Sequence, residues 1–207
     1  GYFEIRMLDT VAVGFGIYKL NLLSFFDPVN SVNNISWSWF LPDIKLSKGE
    51  ELEGFNYLGI GYILMILFSI LLFLKNIKKK NKFFEDNNKN FKYFVYISIF
   101  LTLWALSNKI SFGSETILEI PLNKYIFGFL SIYKATGRLF WIVNYFILIC
   151  SIIIIYKCLR KRDSLILILL FLVIQIADVS AAFKHRIYYL NEFNNIHYLK
   201  DDIWKSI

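Results

Sequence analysis

Long runs without charge divide this chain. From Leu139 to Tyr156, 18 consecutive residues carry none. At about 1.5 Å per residue, a helix of that length covers about 27 Å, close to the hydrocarbon thickness of a bilayer. From Gly54 to Leu74 a second charge-free run of 21 residues gives about 31 Å. A shorter run from Tyr93 to about Asn108 needs snorkelling by Lys92 or local thinning to fit a bilayer. A fourth runs from Ser164 to about Phe183, and its charge-free part ends at Ala177. The pattern predicts an all-α integral membrane protein with about four transmembrane helices, near 54–74, 93–108, 139–156 and 164–183.

The connecting segments are polar and aromatic. Residues 1–53 hold seven acids and four bases and read as an extracytoplasmic loop. Within it, MLDTVAVGFGIYKLNLLSFF is apolar but broken by Asp9, Gly14, Gly16, Lys19 and Asn21. That composition predicts an interfacial helix, ended by Asp27-Pro28. Pro121 followed by Leu122, Tyr125, Ile126 and Phe129 at helical spacing predicts a second interfacial helix, and the mixed-polarity stretch before it reads as outer loop. Residues 184–207 read as the start of an extracytoplasmic C-terminal segment. With no initiator Met and no signal-peptide pattern, the chain is expected to be an internal piece of a longer protein.

Charge orients these elements. The loops 75–92 and 157–163 together hold 11 of the 23 bases and three of the 16 acids, a balance of +8, which leaves −1 for the rest of the chain. By the positive-inside rule both loops are cytoplasmic, and both ends of the chain lie outside. The net charge of +7 therefore needs no nucleic acid to explain it. The hydrophobic fraction of 57%, high for a globular chain, agrees with a membrane class.

Candidate chemistry is sparse. Arg138 opens the third span and Asp178 closes the fourth, with Gln175 one turn before it. Charged and polar groups at such depths are costly unless paired or hydrated. They read either as an ion pair tying two helices or as a cleft gripping an anionic headgroup, for which a guanidinium fork is suited. Glu53, with Glu50 and Glu51, lies just outside the first span, where a carboxylate is either solvated or available to a substrate. His185 and His197, with Asp201 and Asp202 beyond, match no compact metal motif, so no metal site is expected. Cys150 and Cys158 stand eight apart on one helix, about 12 Å, which is too far for a disulfide. Asn34-Ile35-Ser36 fits the common glycosylation pattern. No phosphate loop, nucleophile elbow or metalloprotease helix motif is present, and no cofactor can be named.

Three groups of residues carry a resemblance: GYFEIRMLDTVAVGFGIYKLNLLSFFDP, then EGFNYLGIG entering a span, then ATGRLFW entering another with IQIADVS closing the next. They resemble an uncharacterised bacterial family of multi-pass proteins similar in architecture to the C-type glycosyltransferases. The resemblance implies membrane lipids and a polyprenyl-phosphate-linked sugar as partners, on the outer face of the cytoplasmic membrane. It also implies a catalytic acid in an outer loop that would precede Gly1. The alternative is a non-catalytic membrane subunit or a transporter component.

Overall fold

The computed structural model describes residues 15–30, 35–46, 55–76 and 88–195. The described residues are mostly helical, with five α-helices: α1 Ile60–Lys75, α2 Asn88–Leu106, α3 Lys124–Leu130, α4 Phe140–Cys158 and α5 Lys161–Asn195. A 3-10 turn, Thr136–Leu139, leads directly into α4. Two of these segments, Thr136–Cys158 and Lys161–Lys184, are long and apolar enough to cross a membrane. Ile60–Lys75 and Phe91–Leu106 are shorter apolar helices.

The helix register follows from small and polar side chains. Tyr62 donates its hydroxyl to the Asn144 carbonyl, Ser69 donates to Ser151 Oγ at 3.2 Å, and Asn76 Nδ2 lies 3.7 Å from Cys158 Sγ. The three contacts advance by seven residues on each helix in the same direction, so α1 and α4 run parallel. A repeat of seven is the spacing at which two helices keep one face together with a left-handed crossing. α5 follows α4 through a tight turn and runs back antiparallel to both. Between the three helices lies a core of Met65, Ile155 and Phe171, with Leu72, Leu159 and Leu167 against it. A second core, Leu20, Ala105, Phe140 and Val143, joins α2 to α4 and to the N-terminal segment.

Apart from the short α4–α5 turn and the residue that ends α1, the described non-helical structure gathers at one end of the bundle. Two small antiparallel ribbons lie there. β1 Val29–Asn30 pairs with β2 Ile35–Ser36, and β3 Lys109–Phe112 pairs with β4 Glu115–Glu119. The β3–β4 turn is Gly113-Ser114, where Gly113 takes φ +64. A positive φ at that position is what a two-residue hairpin turn requires. The opposite end carries Lys75, Lys157, Arg160, Lys161 and Arg162, all exposed.

Four differences from the sequence reading stand out. First, the all-α expectation omits both ribbons, and the stretch read as outer loop before Pro121 is the β3–β4 hairpin. Second, α1 begins at Ile60, six residues later than expected, because Gly59 adopts φ +85 and the lead-in from Phe55 is extended. Third, Phe15–Phe26 forms turns in place of the interfacial helix. Leu20 N–H bonds to the Ala105 carbonyl and Asn21 pairs with Ser111, so this segment is pinned to α2 and β3. Residues 7–14 lie outside the described residues. Fourth, α5 continues to Asn195, well past the expected end of the fourth span.

Candidate functional site

The most concentrated buried chemistry lies where α1 begins. A helix start leaves backbone N–H groups without partners, and Gly59, in the N-cap position, has no side chain to accept from them. α5 supplies the acceptors instead. Asp178 Oδ2 accepts from Ile60 N at 2.9 Å, and Gln175 Oε1 accepts from Tyr62 N at 2.9 Å. Gln175 Nε2 in turn donates to the Leu58 carbonyl at 2.8 Å, so one amide satisfies the backbone on both sides of the glycine. Phe171, Gln175 and Asp178 occupy positions i, i+4 and i+7 of α5, one face of the helix.

Glycines allow this approach. A Cβ on Gly59 would stand 2.0 Å from Gln175 Nε2, and one on Gly61 would stand 2.3 Å from the Phe171 carbonyl. Only a residue without a side chain lets the two backbones meet here.

Asp178 is completely buried. Besides Ile60 it accepts from Tyr57 Oη at 2.5 Å and from the Ser38 hydroxyl on its other oxygen. Ser38 Oγ also accepts from Phe40 N and Leu41 N, both at 3.0 Å, so the loop after β2 is folded around the same carboxylate. Trp39 extends this attachment by donating to Ser180 Oγ at 2.8 Å, with Lys184 Nζ 5.4 Å from its ring centre.

Of the sequence-derived candidates, the structure brings Gln175 and Asp178 together and leaves Arg138 apart from them. The expected Arg138–Asp178 ion pair does not form, because the carboxylate takes its bonds from Ser38, Tyr57 and Ile60. Arg138 sits on the 3-10 turn with its guanidinium 5.9 Å from the Trp141 ring centre, and it is exposed. Its neighbours on the turn are buried and tied down. Gly137 N donates to the Tyr18 carbonyl, Asn56 Nδ2 donates to the Gly137 carbonyl, and Thr136 Oγ1 donates to the Ala105 carbonyl. A rigid support therefore presents a cation at the surface. Glu53 lies outside the described residues, as do Glu50, Glu51 and His197. Cys150 and Cys158 are not joined in a disulfide.

A second polar cluster was not anticipated from the sequence. Lys19 is buried and donates to Ser111 Oγ at 2.6 Å. Asn21 exchanges two bonds with the Gly113 backbone, 2.8 and 3.1 Å long, which locks the N-terminal segment onto the hairpin turn. Asp27, also buried, accepts from Val29 N and Ile44 N and closes the loop between them. The partners lie up to 92 positions away, so no local pattern marks them.

These features define a helical protein with helices suited to a membrane, laced at one end to an irregular cap by buried polar side chains. The chain belongs to the family described as a domain of unknown function (DUF6311), whose profile matches residues 1–180. Neither a curated protein nor a solved structure matches it.

Proposed function

We propose that the chain is the membrane-embedded part of a polytopic protein, with α1, α2, α4 and α5 as spans. The basic end faces the cytoplasm, and the cap faces outward. One observation carries the reading: apolar side chains point out of the bundle and polar ones point in. Leu67, Leu71, Ile149, Leu169 and Val173 are exposed, whereas Ser69, Ser151, Ser164 and Asp178 are buried. Only 22% and 17% of the most apolar windows of the two long helices are buried. The apolar core helix of a water-soluble protein would be covered, and a polar outer face would replace the leucines. α1, at about 24 Å, is short for a bilayer, and its extended lead-in is acceptable at that depth because Gln175 and Asp178 satisfy its backbone.

Single-cysteine labelling on a cysteine-free background tests this. Positions 47 and 195 should react from outside intact cells, and position 87 only after permeabilisation. Reaction at position 87 in intact cells would overturn it.

Within that placement, the resemblance to C-type glycosyltransferases supplies the substrate class, a polyprenyl-phosphate-linked sugar handled on the outer face. Arg138 is the residue for its phosphate, since it is exposed, held by a buried turn and flanked by Trp141 at the expected water–lipid boundary. Arg138→Gln should leave the purified chain folded, as a cooperative melting transition checks, and weaken retention of a polyprenyl phosphate. Equal retention by both proteins would remove the arginine from this role. A non-catalytic membrane subunit is the second reading, favoured by Asp178 being spent on three structural hydrogen bonds.

A further inference from the structure

The turn between α4 and α5 and the first residues of α5 carry Arg160, Lys161 and Arg162, with Lys157 one residue before α4 ends. Its geometry is fixed from inside. Leu159 packs against the core of Met65, Ile155 and Phe171, and fully buried Ser164 donates its hydroxyl to the Lys161 carbonyl at 2.9 Å. Ser164 N also bonds to the Arg160 carbonyl at 2.9 Å. With both ends of the turn anchored, the three bases between them are all held exposed. α1 ends beside them, since Asn76 reaches Cys158, so exposed Lys75 joins the same patch.

Helix electrostatics do not account for this cluster. Lys75 and Lys157 lie in the last turns of α1 and α4, where a cation is favourable. Arg160, Lys161 and Arg162 instead stand at the start of α5, where cations oppose the helix dipole and Asp163 is the only acid in the first turn. An acceptor such as Ser or Asp is usual in the position that Arg160 occupies. The cluster is therefore a positive patch that an external anion relieves. Directly beside it, Leu74, Tyr156, Leu165 and Ile166 are exposed, forming an apolar band against a cationic rim.

We propose that this patch binds anionic phospholipid: the phosphate takes Arg160, Lys161 and Arg162, and the acyl chains lie along the band below. The inference rests on the membrane placement proposed above. Each base near an anionic surface strengthens binding by about fivefold, so three give about a hundredfold.

The test uses the purified full chain in nanodiscs of phosphatidylcholine, with or without about one-third phosphatidylglycerol. Native mass spectrometry after release counts the lipid retained. Wild type should retain phosphatidylglycerol preferentially, and added inorganic phosphate should not displace it. The R160Q/K161Q/R162Q variant should lose that preference, and R160K/R162K should keep it. Because removing bases can disturb insertion, wild type alone also decides: its preference should fall several-fold at high salt. Equal retention of both lipids by wild type, retention unchanged in the triple glutamine variant, or displacement by inorganic phosphate would each overturn the proposal. Extraction of the chain from membranes by alkaline carbonate would instead refute the membrane placement beneath it.

Discussion

Asp178 offers the sharpest test of how the two halves of the bundle are joined. Replacing it with Ala removes the acceptor of Ser38, Tyr57 and Ile60 in a site with no solvent exposure. A buried donor left without a partner costs about 1–3 kcal/mol. The two hydroxyls can rotate toward other acceptors, but the Ile60 N–H cannot. A total near 3 kcal/mol is therefore expected. That exceeds the roughly 0.6 kcal/mol typical of a single interhelical hydrogen bond in a membrane. Asn is the informative control. With its oxygen in place of Oδ2 it still accepts from Tyr57 and Ile60, but its amide group then faces Ser38 Oγ, which already accepts from Phe40 and Leu41. Its cost should be about 1 kcal/mol. The assay is equilibrium unfolding of the detergent-solubilised chain. Equal losses for Ala and Asn, or a loss below about 0.5 kcal/mol for Ala, would refute the capping role. Adding Arg138→Ala should contribute independently within about 0.5 kcal/mol, whereas strong coupling would restore the ion pair that the geometry lacks.

Gly61→Ala should lower the melting temperature, because its methyl group meets the Phe171 carbonyl; Gly128→Ala, with nothing within 4 Å, should be neutral or stabilising. In a double-mutant cycle, Ser69→Ala and Ser151→Ala should couple by about 0.6 kcal/mol, and zero coupling would mean that the serines only pack. Lys109→Gln should change stability by less than about 1 kcal/mol, as its 2.6 Å pair with Glu119 is 41% and 56% exposed, and a larger loss would point to a role beyond that pair.

How far the sequence anticipates the structure depends on the range of the forces involved. α4 is legible almost to the residue, expected at 139–156 and found at 140–158, because an uninterrupted apolar run leaves a helix no competitor. The start of α1 is not, because Gly59 ends the helix through its backbone conformation, which an apolar count passes over. The β3–β4 hairpin left a signal in Gly113-Ser114 between Ile110, Phe112, Thr116 and Leu118. It reads as loop when polarity alone is followed. Gln175 and Asp178 stand out by their depth in an apolar run, but their partners Ser38, Tyr57 and Leu58 do not, since nothing local announces a contact 117 to 140 positions away. Arg138 and Asp178 looked complementary by charge and level, and neutral hydroxyls met the acid first.

The borrowed cap of α1 also sets an order of assembly. The acceptors for its first turn lie 113 and 118 positions downstream. At about 5–20 residues per second, a ribosome reaches them about 6–24 s after making the helix they complete. During that interval the N–H groups at the start of α1 must find other partners, such as water. α1 is thus made well before its first turn can be completed, and that turn closes only when α5 docks against it.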